Sequence, residues 1–301
     1  MSYMEGISLN IKDINGYINL DSASQSKRVI VLGENSYAAK FIDTKTGEMY
    51  YFKYNATSGG WYHANKEIYE SIISRLISYL MPAQIYSPAI FNKKEGVITR
   101  CFKHRHITFD EYLSLFKGKF DNVRNNVLSI YDNENLLKQN ISQECFDMLT
   151  MVPQNYMVGN LDFKFSNMVV EGNEFAKNPK AFDFGFNMFL FAQKGESLGI
   201  KSIDECIDHF FRQKIGGVGM GVGKSIGNYF SKAEFLKDLR ERAKLNPRLK
   251  ENIKQALTLT DDIIDEEFLK MYGDEGVTLG KAGCIVRETI KINREDLSKT
   301  I

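Results

Sequence analysis

Proline is scarce in this chain, 5 in 301 residues, and tryptophan occurs once. No repeat, low-complexity tract or Pro/Ser-rich linker divides it, so no flexible tether between independent domains is expected. Cysteine is equally sparse. Cys101, Cys145, Cys206 and Cys284 lie far apart, with no CxxC pair and no histidine at ligand spacing. That argues against a disulfide framework or a zinc site and suits reduced thiols in a cytoplasmic protein. The KHRH run at 103–106 offers two histidines and no third ligand, and reads as a solvated turn. An excess of one charge is also missing: Lys+Arg 39 against Asp+Glu 38 leaves +1. Nothing in that balance calls for a nucleic-acid or membrane-surface partner. No apolar run approaches the roughly 20 residues that span a bilayer. Residues 1–13 hold no basic segment followed by an apolar one, so no secretory signal is expected.

What is present is a hydrophobic content of 43% with 12% aromatics, ample for a sizeable core. The most informative stretch is 157–186, MVGNLDFKFSNMVVEGNEFAKNPKAFDFGF. It carries Asp162, then Asn167 five positions on, then Asp183-Phe184-Gly185 after an apolar run and a turn. Phosphoryl transfer needs those residue types in that order. A carboxylate, Asp162, holds the attacking hydroxyl in line. An amide oxygen, Asn167, and a second carboxylate, Asp183, hold magnesium against the phosphates, because the metal neutralises charge in the transition state.

NLDFKFSN resembles the catalytic loop of the protein-kinase-like fold, and FDFG resembles its metal-binding motif. The resemblance implies short strands around Val169-Val170 and Ala181-Phe182, with Glu171-Gly172-Asn173 as the turn. Lys164 sits where many Ser/Thr kinases carry a lysine that contacts the γ-phosphate. The usual His-Arg before the aspartate is replaced by Asn160-Leu161. An Asn two residues before the aspartate is similar to HipA-like bacterial kinases, although these usually follow it with Asp-Arg-His where this chain has Asp162-Phe163-Lys164.

The rest of the chain follows the same order. The first hundred residues read as β-rich with one helix: strands at 28–32, 38–43 and 48–55, then helical spacing over 65–80, stopped by Pro82. Lys53, in the third strand, is placed to pair the α- and β-phosphates, and Glu67 on the helix to orient it. Glu70, three positions along, is the alternative partner. Gly33, Asn35 and Ser36 between the first two strands are candidates for a phosphate cradle of backbone N–H groups, without the three-glycine form. The strand at 97–102, with Arg100 and Phe102, resembles the adenine-facing edge of the two-lobed fold. Beyond Thr108 helices are expected at 109–116, 136–152, 203–214, 231–243, 248–257 and 262–272, with 148–156 leading into the catalytic loop.

A glycine-rich run at 216–225, GGVGMGVGKS, approximates G-x-x-x-x-G-K-[ST]. Its first glycine falls on Val218, and a helix rather than a strand is expected before it, so it reads as a loop. The expected fold class is therefore α+β: a two-lobed protein-kinase-like fold, with a β-rich small lobe at 1–100 and a mainly helical large lobe at 101–301. The resemblance implies ATP and Mg2+ as cofactors, a Ser/Thr hydroxyl of a protein as acceptor, and an antitoxin or other regulatory protein as partner. The enzymatic rival is a small-molecule phosphotransferase whose acidic pocket would draw on Asp261-Asp262 and Asp265-Glu266-Glu267. A non-catalytic module of the same fold is the other.

Overall fold

The strand Met49–Tyr54 reads MYYFKY, and its alternation decides the small lobe. Tyr50 and Phe52 are fully buried on one face, while Tyr51 and Lys53 point to the other. In the computed structural model, which describes residues 13–14, 17–20, 30–31, 38–42, 47–54, 65–102, 106–116, 118–121, 123, 127–160, 162–171, 176–185, 187–197, 199–200, 202–212, 229, 231–272 and 280–301, this strand is β5 of a seven-stranded sheet. It pairs antiparallel with β4 (Ala38–Ile42), which sets Ala38 opposite Lys53, and with β7 (Lys94–Arg100), which sets Val97 opposite Lys53. β6 (Ser87–Phe91) joins β7 through Asn92 and Lys93, whose φ values of 50° and 60° give the left-handed pair that a two-residue hairpin requires. β1 (Asp13–Ile14), β2 (Tyr17–Asn19) and β3 (Ile30–Val31) complete the order β1-β2-β6-β7-β5-β4-β3, in which only β2 and β6 run parallel. One sheet face is closed by Ile18, Leu20, Phe41, Tyr50, Phe52 and Ile98, with Phe91 edge-on to Phe41 and Phe52.

Helix α1 (Lys66–Ser78) packs against β6 and β7. Its apolar positions Tyr69, Ile72, Ile73, Leu76 and Ile77 recur at three- and four-residue spacing and are all buried. The remainder is helical apart from a three-stranded sheet, in which β9 (Met168–Glu171) lies between β8 (Ile107–Thr108) and β10 (Lys177–Ala181). The architecture is α+β, a mainly antiparallel sheet lobe against a helical lobe. Among the described residues no helix is long and apolar enough to cross a membrane.

Two expectations are corrected. The single helix at 136–152 is instead Glu134–Lys138 and Gln143–Leu149. The Asn140 amide donates to the Leu136 carbonyl at 2.6 Å, and Ser142, in extended conformation, caps the next helix by accepting from the Cys145 N–H at 3.2 Å. Nor is 148–156 one helix, because a new one begins at Val152–Met157 with Pro153 in its first turn. A 19-residue helix at Gly280–Ser298, which was not anticipated, closes the helical lobe. Its Asn293 donates to the carbonyls of Tyr156 (2.9 Å) and Met157 (3.3 Å), bracing the helix that leads into the segment from Gly159 to Asn167.

Four of the five acids in the 261–267 cluster are taken up by ion pairs: Asp261 with Arg294, Asp265 with Arg287, Glu266 and Glu267 with Lys270, each at 2.8 Å. Burial works to raise the Glu267 carboxyl, but Lys270, Tyr79 and Arg75 hold it below its ordinary 4.5. Its stabilising share is therefore complete above 4.5 and is lost as pH falls through the lower folded-state value. Glu267→Gln is expected to melt lower than the wild type at neutral pH, and to lose less on acidification to about pH 3. Thermal melts across that range check it.

Candidate active site

The segment that resembles a catalytic loop starts from a glycine that the backbone demands. Gly159 has φ of +73°, and its carbonyl accepts from the Met188 N–H at 2.8 Å. A Cβ there would stand 3.2 Å from the Phe189 ring and 3.3 Å from the Met188 Cβ. Left-handed strain alone costs a non-glycine residue about 1–2 kcal/mol, so Gly159→Ala is expected to lower the unfolding free energy by at least about that much, as measured by denaturant titration.

Asn160 follows, buried. Its amide donates to Asn155 Oδ1 at 2.7 Å, and its Oδ1 accepts from the Asp162 N–H at 3.2 Å. The Asn155 amide in turn donates to the Met151 carbonyl at 2.9 Å. Asn155 and Asn160 thus fix where Asp162 leaves the core, a role that sequence reasoning missed. The available signal was Asn155 itself, a polar residue in VPQNYM, all six of whose residues are buried.

From Asp162 the chain alternates. Phe163 and Phe165 are buried, the latter edge-on to Phe109 at 5.5 Å, so Asp162 and Lys164 are turned away from that core. The short 3-10 turn Phe165–Asn167 then carries Asn167 back over Asp162. The Asn167 amide donates to Asp162 Oδ2 at 2.7 Å and to the Asp162 carbonyl at 2.9 Å, while Lys164 Nζ lies 2.8 Å from Asp162 Oδ1. Burial raises the Asp162 carboxyl; bonds from Lys164 and Asn167 oppose that shift, and the Asp183 charge adds to it.

Asp183 is delivered from the other side. The Phe182 N–H donates to the Asn167 carbonyl at 3.0 Å, joining the two motifs through the backbone. Phe184 is fully buried, edge-on to Tyr86 at 5.9 Å, and the Asp183 N–H donates to the Tyr86 hydroxyl at 3.3 Å. Between these anchors Asp183 adopts φ of +58°, a left-handed conformation that Asp and Asn tolerate better than other side chains. Its carboxylate, 43% exposed, meets Lys53 Nζ at 2.6 Å. Burial works to raise the Asp183 carboxyl, but Lys53 holds it below its ordinary value. Burial likewise works against the Lys53 charge, yet Glu70 and Asp183 together raise it, so the ammonium stays protonated. Gly185 passes across this pair, where a Cβ would come within 3.3 Å of Glu70 and 3.4 Å of Lys53.

The acid that reaches Lys53 is Glu70, at 3.2 Å, and not Glu67. Both are buried on α1, but three residues are an axial step of about 4.5 Å, and β5 brings the ammonium level with the later position. Arg100, on the strand expected to form the adenine-facing edge, has its guanidinium and its carbonyl engaged. Its guanidinium is drawn to Glu48 at 2.6 Å, its carbonyl accepts from the Gln84 amide, and its strand pairs with Tyr50. Phe102 lies against His106, ring centroids 4.6 Å apart, and edge-on to Phe182 at 6.3 Å, beside the segment that carries Asp183. Gly33, Asn35 and Ser36, and the glycine-rich run at 216–225, fall outside the described residues. The helix Ile203–Arg212 does precede that run.

No family model matches this chain, and no curated protein matches it. Among solved structures it is similar to that of a Helicobacter pylori proinflammatory kinase, CtkA, at 16% identity and a TM-score of 0.48, over 91% of this chain and 99% of the other.

Whether the residues suit magnesium can be tested on Asn167. Its Nδ2 faces two oxygens of Asp162, so the opposite assignment would set oxygen against oxygen. Oδ1 is therefore turned away from Asp162, and it makes no hydrogen bond among the described residues. One amide oxygen and one half-exposed carboxylate suit Mg2+, which takes one or two carboxylates and completes its shell with phosphate oxygens and water. Among the described residues there is no cluster of three or more His, Cys, Asp and Glu, as a metal cage made entirely by protein would need.

Proposed function

We propose that the chain is an ATP- and Mg2+-dependent kinase that transfers the γ-phosphoryl group to a Ser or Thr hydroxyl of a protein, in the manner of the HipA-like kinases its catalytic loop resembles. One observation supports this above all. Asp162 and Asn167 meet at 2.7 Å, the Phe182 N–H beside Asp183 bonds the Asn167 carbonyl at 3.0 Å, and Asp183 meets Lys53 at 2.6 Å, so the four residues are gathered by two side-chain contacts and one backbone bond. The metal, when bound, offsets the charge of the transferring phosphoryl group. Asn167 Oδ1 and the Asp183 carboxylate are its proposed ligands. Lys53, oriented by Glu70, is placed for the α- and β-phosphates. Asp162 holds the acceptor hydroxyl and takes its proton, while Lys164 offsets charge beside it. Such a site works by positioning and fixed charge, not by covalent chemistry.

Residues 1–100 serve in this reading as the small lobe and 101–301 as the large one. The protein acts in the cytoplasm, on a protein substrate and under an antitoxin or similar regulatory partner. The ion pairing of the 261–267 cluster leaves it a poor pocket for a cationic small molecule, so the protein acceptor is preferred.

Incubation with γ-labelled ATP and magnesium, with and without a generic protein acceptor, tests this. Label on Ser or Thr is the expected result. Stabilisation by ATP with no transfer would reduce the chain to a nucleotide-binding module, and the absence of both transfer and stabilisation would overturn the reading.

A further inference from the structure

Glu70 can orient Lys53 only if α1 is held at a fixed height, so what holds α1 matters. Helix α1 precedes the helical lobe in sequence and packs on β6 and β7, yet its apolar face also enters the core of that lobe. Tyr69, Ile72, Ile73, Leu76 and Ile77 share one continuous core with Phe146, Leu149, Phe189 and Phe268, separate from the core behind Phe41, Tyr50 and Phe52. Tyr69 packs on Phe189 with centroids 5.7 Å apart, and its hydroxyl donates to Gln193 Oε1 at 2.7 Å, on the helix Met188–Ser197 that follows Asp183.

Polar contacts repeat the pattern at the far end of the helix. Glu267, on the helix Asp261–Tyr272, has a side chain only 5% exposed. Its Oε2 lies 3.5 Å from Arg75 Nη1, and its Oε1 accepts from the Tyr79 hydroxyl at 2.7 Å and from Lys270 Nζ at 2.8 Å. On the sheet side, Arg75 Nη2 donates to Ser87 Oγ at 3.2 Å and the Tyr86 N–H to Ser74 Oγ at 2.9 Å. A charged pair this buried is kept in place by its partners, since removing one strands the other away from water.

We propose that Glu267 is a positioning residue, which grips Arg75 and Tyr79 from the helical lobe and so sets where α1 presents Glu70 to Lys53. The α1 helix is then held from two sides, by β6 and β7 and by the helical lobe, and the grip of Glu267 helps set the height of the Lys53–Glu70 contact. The catalytic consequence rests on the phosphotransfer reading above; the anchoring does not.

Two measurements test it. In the ligand-free protein, hydrogen exchange of α1 amides is expected to speed up at least about fivefold in Glu267→Ala, while β5 amides change less than about twofold. Unchanged α1 exchange, or β5 loosening as much as α1, would overturn the anchoring. Turnover is then compared in Glu267→Ala, Glu70→Gln and the double variant. Each single change is expected to lower kcat at least about tenfold, and Glu267→Ala to add less than about twofold once Glu70 is already Gln. Losses that multiply would make Glu267 merely structural. Glu267→Gln keeps the volume and an acceptor for Tyr79; it is expected to show the same pattern at smaller amplitude and replaces the alanine variant if that does not fold. A wild type that transfers no phosphate would overturn the phosphotransfer reading, while the exchange measurement still decides the anchoring.

Discussion

Asp183→Asn is expected to leave a folded protein that has lost magnesium-dependent turnover by about a hundredfold to a thousandfold. The substitution is chosen for the backbone: Asp183 sits at φ of +58°, and asparagine tolerates that region, whereas alanine would add strain of about 1–2 kcal/mol. Its side chain is 43% exposed, and Lys53 keeps Glu70 as a counter-charge at 3.2 Å, so the fold should be little disturbed. What disappears is the negative charge on the metal. A metal clamp contributes several kcal/mol to a phosphoryl transition state, and each 1.36 kcal/mol is about tenfold in rate. Turnover as a function of magnesium, beside a thermal melt, checks this. A variant as fast as the wild type at equal magnesium would remove Asp183 from the site.

Asp162→Asn is expected to act differently, lowering kcat by about 10²–10⁴ with little change in KM for ATP. In the proposed reading Asp162 faces the acceptor, and its side-chain contacts are Lys164 and Asn167, not Lys53 or Asp183. Losing it removes an interaction realised in the transition state, not one that binds nucleotide. The amide can still accept one hydrogen bond from Asn167 or Lys164, so stability should hold. Steady-state kinetics at varied ATP separate the two outcomes. A raised KM with unchanged kcat would assign Asp162 to nucleotide binding instead.

Much of this site was legible because it rests on local rules. The alternation of MYYFKY sends Lys53 to the face where it meets Glu70 and Asp183 while Tyr50 and Phe52 go inside, and the apolar spacing of 66–78 gives one helix. The alternation Asp162-Phe163-Lys164-Phe165 works the same way, with two buried rings holding two charged groups outward. What could not be read depends on how elements cross. Glu67 and Glu70 share nearly one helix face, and only the height at which β5 meets α1 selects Glu70. The ion pair of Arg100 with Glu48 is likewise set by how two strands lie side by side.

Buried polar residues defeated the periodic reading elsewhere. In the helix Gly280–Ser298 the buried stripe includes Thr289 and Asn293, so the apolar pattern is interrupted where the Asn293 amide is needed by Tyr156 and Met157. Asn140 and Ser142 likewise broke an apparently continuous helix by bonding their own backbone.

The central claim is that Asn167 and Asp183 hold one divalent cation against nucleotide. Its most direct test is a Mn2+ titration by electron paramagnetic resonance, with a non-hydrolysable ATP analogue present. The wild type is expected to bind one Mn2+ per chain, quenching the free-ion signal, and both Asn167→Ala and Asp183→Asn to restore most of it. A free-ion signal undiminished by wild-type protein, or one quenched equally by both variants, would contradict the claim.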